Sequence, residues 1–70
     1  MSTEQEIMRL AGQRDRAMDV ARATARFLAY PEGWQDSPYL RRCADQALDA
    51  ALDEIRRTTQ AIKRLKGEMQ

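Results

Sequence analysis

Residues 27–40, FLAYPEGWQDSPYL, constrain the fold of this chain more than any other stretch. They hold both prolines, all four aromatic residues and one of the three glycines. Proline lacks the amide hydrogen that a helix interior requires, and it disfavours helical geometry at the residue before it. Because the sequence on either side favours helix and is similar in length, this segment predicts a turn between two helices.

The first helix is predicted over about residues 4–30. Ser2 with Gln5, and Thr3 with Glu6, both have the spacing of a capping box, in which a hydroxyl and a side chain three residues later satisfy each other's free amides. No proline interrupts the helix before the turn, so it ends where the first proline follows.

At about 100° per residue, the apolar residues of this helix collect on one stripe. The stripe contains Ile7, Leu10, Ala11, Ala17, Met18, Ala21, Ala25 and Leu28. Arg14 lies within it, and two interpretations stay open. Either its long stem covers apolar surface while the guanidinium reaches solvent, or it makes a buried ion pair across a subunit interface and fixes register.

The second helix is predicted from about Pro38 to Lys66. Ser37 can accept from free amides, Pro38 loses no hydrogen bond at the first helical position, and Gly67 provides a stop. Its apolar positions are Leu40, Ala44, Leu48, Ala51, Ile55, Thr58, Ile62, Leu65 and Met69. From Leu48 onward the spacing alternates three and four, which is typical of a heptad seam.

Two helices joined by a turn at residues 31–37 predict a single-domain, all-α, antiparallel two-helix hairpin. Seventy residues with eleven alanines bury little apolar area, and one cysteine without any histidine provides neither a disulfide nor a zinc site. Oligomerisation is the remaining source of stability, so we expect a homodimeric four-helix bundle. The candidate dimer-interface residues are Ile7, Arg14, Met18, Ile55, Ile62 and Leu65.

The chain has few residues that could act as a catalytic base or nucleophile. It has no histidine, and Cys43 is interpreted as a small buried apolar residue rather than a nucleophile. Asp45, Asp49 and Asp53 recur every four residues, a spacing more typical of a solvated face paired with arginines than of a cation site. The sequence therefore predicts no enzyme, with no catalytic residue, metal or cofactor.

The turn end is one of two candidate binding surfaces. Its aromatic residues Phe27, Tyr30, Trp34 and Tyr39 are the protein-binding candidates. Tryptophan and tyrosine are enriched where a few contacts dominate the affinity of an interface. The alternative is that these rings plug the end of the hairpin, with Trp34 folded over its neighbours.

The open end of the hairpin is the other candidate surface, since eight basic residues gather there against five acidic ones, Glu4, Glu6, Asp15, Asp19 and Glu68. The nucleic-acid-binding candidates are Arg9, Arg16, Arg56, Arg57, Lys63 and Arg64. Chain length and the hairpin-dimer plan are similar to those of the Rop-like four-helix bundles, a family that binds paired RNA loops with a helix face. The resemblance is one of architecture, so it implies RNA or DNA binding as an alternative without assigning a site residue by residue.

A protein partner is the leading expectation, because a net charge of +1 lacks the strongly basic balance of a dedicated nucleic-acid binder. We expect a small non-enzymatic regulator that binds and modulates an unidentified partner protein through its helical-hairpin surface, as an inhibitor or anti-activator. Nucleic-acid binding is second, and a structural subunit of a larger complex is third. The absence of a membrane-spanning run or signal sequence, with a single cysteine, predicts a cytoplasmic location.

Overall fold

A computed structural model describes residues 2–68 of the chain. Helix α1 covers Thr3–Ala29 and helix α2 covers Pro38–Glu68, with a short 3-10 turn at Pro31–Gly33 between them. No strand occurs among these residues. The prediction of an all-helical chain with two helices is confirmed.

The two helices lie side by side. At 1.5 Å per residue they are about 40 and about 46 Å long, yet the molecule measures 52 × 17 × 13 Å, too short for an end-to-end arrangement. Ala17 and Ala51 line one depression between them, while Thr24 and Ala44 line another nearer the turn. Positions that rise along α1 therefore meet positions that fall along α2, which fits an antiparallel hairpin.

Helix α1 begins with the capping box formed by Ser2 and Gln5. The Gln5 amide donates to Ser2 Oγ at 3.2 Å, and the Ser2 amide donates to Gln5 Oε1 at 3.4 Å. The helix therefore starts at Thr3, one residue before the predicted start. At the other end Tyr30 is extended, with φ −116° and ψ 92°, as the residue before Pro31 must be.

Helix α2 begins as predicted and ends later. Ser37 Oγ accepts from the Leu40 amide at 3.3 Å, which is the expected cap. Gly67 does not stop the helix, which continues to Glu68. A glycine stop needs a left-handed backbone, and no glycine among residues 2–68 has positive φ. Met69, the last predicted seam position, lies outside the described residues.

The seam of α2 follows the predicted heptad spacing. Ala44, Ala51, Thr58 and Ile62 are buried, and Leu48, Ile55 and Leu65 are half-buried. Thr58 is only 4% exposed, and its hydroxyl donates to the Glu54 carbonyl at 2.7 Å, so the buried polar group is satisfied. Leu40 departs from the prediction, since it is 44% exposed.

The seam of α1 differs in part from the predicted stripe. The side chains that are buried or half-buried at alternating spacings of three and four are Ile7, Leu10, Arg14, Ala17, Ala21, Thr24 and Leu28. Met18 and Ala25 are exposed, so their place in the stripe was wrong. Thr24 occupies the seam position beside Ala25, where its hydroxyl donates to the Val20 carbonyl at 2.7 Å and leaves no free donor.

Candidate functional site

An open groove runs between the two helices along one face of the hairpin. Its broader part has a volume of about 520 Å³, and its narrower part, nearer the turn, has a volume of about 340 Å³. The broader part is lined by Gln13, Arg16, Ala17, Val20, Ala47, Ala50, Ala51 and Glu54, and the narrower part by Ala23, Thr24, Phe27, Leu40, Cys43, Ala44 and Ala47. Because Ala47 lines both parts, they form one continuous surface, which we call the groove face.

The groove face exists because each helix has a second row of apolar residues beside its seam. On α1, Val20 and Phe27 are seven residues apart, so they lie on the same flank of the helix. Alanines form much of the floor, while Val20 and Leu40 leave 48% and 44% of their surface exposed. About half of the surface of each of these two side chains is therefore left uncovered within one hairpin.

Apolar and charged residues occupy different halves of the groove face. The half near the turn contains Phe27 and Leu40, whereas the half nearer the open end contains Arg16 on α1 and Glu54 on α2. Arg16 is exposed, and Glu54 keeps 40% of its side-chain surface while pairing with Arg57 at 3.4 Å. The groove face therefore carries both signs of charge at one end and none at the other.

Trp34 covers the turn end of the hairpin. Its residue is half-buried, and Nε1 has no exposed surface and no hydrogen-bond acceptor among the described residues. The Arg41 guanidinium carbon lies 4.8 Å from the centre of the Trp34 ring, which is a cation–π distance. This placement fits the interpretation of Trp34 as a plug.

Phe27 also packs inward, against the backbone of the turn. A Cβ atom added to Gly33 would lie 3.0 Å from Phe27 Cε2, so the ring approaches the chain as closely as a glycine allows. Phe27 is half-buried and reaches the groove face from beneath the turn. The close approach fixes the position of the turn relative to the end of α1.

Tyr30 and Tyr39 are the aromatic side chains that the structure leaves at the surface. They are 62% and 67% exposed. A hydrogen bond with the Cys43 thiol is the main cause that raises the pKa of Tyr39 above its usual value. The four aromatic candidates therefore divide into two that pack against the hairpin and two that are available to a partner.

Three of the eight basic residues at the open end form ion pairs within their own helices. Arg9 pairs with Glu6, Arg56 pairs with Asp53 at 2.6 Å, and Arg57 pairs with Asp53 at 3.1 Å. Asp53 and Glu54 belong to this end, so eight basic residues face seven acidic ones rather than five. The positive excess is smaller than the sequence interpretation assumed.

Cys43 is exposed rather than buried. The seam position beside it belongs to Ala44, so the thiol turns onto the groove face. Among residues 2–68 no three acidic or cysteine side chains come together as ligands for a metal ion. Asp45 instead lies 3.9 Å from Arg41, which is the solvated pairing that the spacing favours.

Most of the predicted dimer-interface residues lie in the seam of the single hairpin. Ile62 is only 5% exposed, and Ile7, Ile55 and Leu65 are half-buried. Arg14 is also half-buried, and no carboxylate among the described residues lies within ion-pairing distance of it. Met18, on the flank away from the groove face, keeps 36% of its surface exposed. The role of these residues in a dimer interface stays a prediction. Ile62 has little exposed surface left with which to contact a second hairpin.

Sequence reasoning missed the groove face itself. Its residues Val20, Ala47 and Ala50 belong to a second row with helical spacing, one position away from the seam residues Ala21 and Ala51. Two parallel rows on one helix are the signal of a helix that contacts neighbours on two sides. That signal was present, but only one apolar stripe was predicted on each helix.

Comparison with known proteins does not place this chain in a family. No protein-family model matches it, and neither a curated protein nor a solved structure does. Over residues 2–68, neither helix has a stretch that is long and apolar enough to cross a membrane.

Proposed function

We propose that this chain is a small, non-enzymatic regulatory protein that forms a homodimeric four-helix bundle and binds a partner protein. Binding modulates the partner by covering part of its surface, as an inhibitor or anti-activator does. The observation that carries the proposal is the exposure of Tyr30 and Tyr39 at one end of a narrow rod, at 62% and 67%. Large amphipathic rings held on rigid helix ends are typical of residues that dominate a protein interface.

The dimer part of the proposal is supported by how little the hairpin buries. Within residues 2–68 its buried apolar residues are Leu10, Ala17, Ala44, Ala51 and Ile62, of which three are alanines. A core this small stabilises a chain of this length only marginally. A second hairpin would cover apolar side chains that the first leaves exposed.

The nucleic-acid alternative has weaker support. Arg9, Arg56 and Arg57 are three of its six candidate residues, and each pairs with an acid on its own helix. Phosphate binding would have to displace those pairs. Lys63 and Arg64, both exposed, are the residues through which the alternative is best tested.

Capture of partners from native extract, with and without nuclease treatment, tests this function. Two variants are compared with the wild type: Tyr30→Ser with Tyr39→Ser, and Lys63→Gln with Arg64→Gln. We expect the wild type to capture a protein whether or not nuclease is added, and only the tyrosine variant to lose it. Circular dichroism confirms that each variant keeps its helix content.

Loss of capture after nuclease treatment, or in the Lys63→Gln, Arg64→Gln variant alone, would contradict the proposal and favour the alternative. Salt gives an independent reading, because binding through phosphates weakens steeply as the salt concentration rises. An interface dominated by tyrosine rings depends much less on salt. The two functions therefore differ in a property that is measured on the bound complex itself.

A further inference from the structure

We propose that a second copy of this chain covers the groove face, related to the first by a two-fold axis parallel to the long axis of the hairpin. Both turns then lie at the same end, and Tyr30 and Tyr39 of the two copies form one surface for the partner protein. This inference rests on the homodimer of the proposed function. It adds the face that pairs, the orientation of the copies and the composition of the binding surface.

The shape of the groove face suits a helix as its occupant. Alanines at positions 47 and 50 form a shallow floor, and Val20 and Leu40 stand beside it with nearly half of their surface exposed. Small residues let neighbouring helices approach closely, and larger ones fill the spaces between them. A second groove face offers both features in return, since it carries the same floor and the same larger side chains.

The order of residues along the groove face selects the orientation. With the axis parallel to the rod, α1 of one copy lies over α2 of its partner, and residues at the same height meet. Ala17 and Ala51 line the groove face together within one hairpin, so Arg16 of one copy lies within about 3 Å, a rise of about two residues, of the height of Glu54 of the partner subunit. Phe27, near the turn, comes level with Leu40 of the partner subunit. Apolar meets apolar, and opposite charges meet.

The reversed orientation brings unlike regions together. There α1 lies over the partner's α1 with the turns at opposite ends. Arg16 is the middle residue of Thr3–Ala29, so full overlap sets it against the partner's Arg16. Like charges facing each other across an interface disfavour that pairing. The same overlap sets Phe27 against position 5 of the partner's α1, outside the groove face, so the two apolar halves do not meet.

The parallel axis has a functional consequence. Each hairpin carries its two exposed tyrosines at the turn end only. Two turns at one end double the aromatic surface there and leave the other end without it. A dissociated chain presents half of the surface, so dimerisation and binding of the partner protein strengthen each other.

Charge reversal tests the predicted contact between Arg16 and the partner's Glu54. Arg16→Glu and Glu54→Arg are each expected to weaken the dimer about tenfold, because two attractive pairs become repulsive. Mixing the two variants is expected to restore wild-type affinity, since the acid introduced at position 16 then faces the base introduced at position 54. Sedimentation measures the dimer in each sample. Arg22→Glu, the same charge change on an arginine away from the groove, is the matched control and should have no effect.

A distance measurement tests the orientation without disturbing that contact. Gln35 is exposed in the turn, so a spin label at position 35 of a Cys43→Ala, Gln35→Cys chain reports where the two turns lie. The parallel axis keeps the two labels within the width of a four-helix bundle. The reversed orientation separates them by nearly the 52 Å length of the rod, and that result would overturn the inference.

The outcomes separate this inference from the function on which it rests. A wild-type dimer whose charge-reversed variants recover on mixing supports the arrangement. A wild-type dimer that is indifferent to both reversals, or that stays weak on mixing, overturns the arrangement and leaves the homodimer intact. A wild-type chain that sediments as a folded monomer at micromolar concentration overturns the homodimer and the inference together.

Discussion

The two ends of the hairpin are stabilised by different kinds of contact. At the turn end, Trp34 lies under the Arg41 guanidinium, and Phe27 packs against the backbone at Gly33. At the open end, Arg9 pairs with Glu6 on α1, and Arg56 with Asp53 on α2. The first set joins both helices and the turn, whereas each pair in the second set stays within one helix.

This difference indicates which end of the hairpin holds the two helices in their arrangement. Exposed ion pairs between residues three or four apart contribute little, about 0.2–1 kcal/mol each, and they do not hold one helix against the other. Aromatic packing at the turn fixes the position of the start of α2 relative to the end of α1. We therefore expect substitutions at the turn end to change the stability of the fold, and substitutions at the open end to change it little.

Trp34→Ala should have the largest effect. Replacing a fully buried tryptophan by alanine lowers the free energy of unfolding by about 3–5 kcal/mol. Because Trp34 is half-buried, we expect a loss of about 2 kcal/mol. Urea unfolding at a fixed protein concentration measures it, because the stability of the proposed dimer would depend on concentration.

Two variants serve as controls for Trp34→Ala. Trp34→Phe should cost less, because it keeps a ring and removes an indole N–H that finds no acceptor within residues 2–68. Tyr30→Ala removes an aromatic ring that is mostly exposed and should change stability by less than about 0.5 kcal/mol. Equal losses for Trp34→Ala and Tyr30→Ala would contradict the division between covered and exposed aromatic residues.

Two glycine substitutions should have opposite signs. Gly33→Ala places a Cβ 3.0 Å from the Phe27 ring and should destabilise the protein by about 1 kcal/mol. Gly12→Ala meets nothing within 4 Å inside α1 and should stabilise it by about 1 kcal/mol through higher helix propensity. Thermal unfolding of the two variants gives the comparison, and a stabilising shift in both would show that the turn is not tightly packed.

The smallest effect should be the pH dependence of the open end. The hydrogen bond with Arg9 is the main cause that lowers the pKa of Glu6 below its usual value. A lowered pKa in the folded state stabilises the protein above the usual carboxyl range, and that contribution is lost as the pH falls through the lowered value.

Melting temperatures at about pH 6 and about pH 3 test this contribution. The wild type should lose slightly more on acidification than Glu6→Gln, which has no carboxyl to protonate. The comparison isolates one group, because the other carboxylates are common to both proteins. An identical loss in the two proteins would show that the pair contributes nothing to folding.

The sequence predicted the parts of the fold that local chemistry determines. Two prolines located the turn, Ser37 and Pro38 located the start of α2, and apolar spacing from Leu48 onward located its seam. The seam of α1 was predicted less well because Thr24 lies in it. A threonine there is tolerated because its hydroxyl donates to a carbonyl of the same helix, which its residue type does not reveal.

The candidate site was less predictable, because exposure depends on packing between distant parts of the chain. The sequence offers no reason to expect different exposure for the four aromatic residues. In the structure the Arg41 guanidinium covers the Trp34 ring, while Tyr30 and Tyr39 are exposed. The sequence did not reveal the groove face, because alanine lines both the seam and the groove and its residue type does not distinguish them.

The short turn also sets the order in which the hairpin assembles. Thr24 and Ala44 close a shorter loop than Ala17 and Ala51, and the entropy lost in closing a loop grows with its length. We therefore expect contacts between the helices to form first beside the turn and then progressively closer to the two chain ends. Opening follows the reverse path, so amide hydrogens should exchange fastest at the start of α1 and the end of α2, while those flanking the turn are the last to be released.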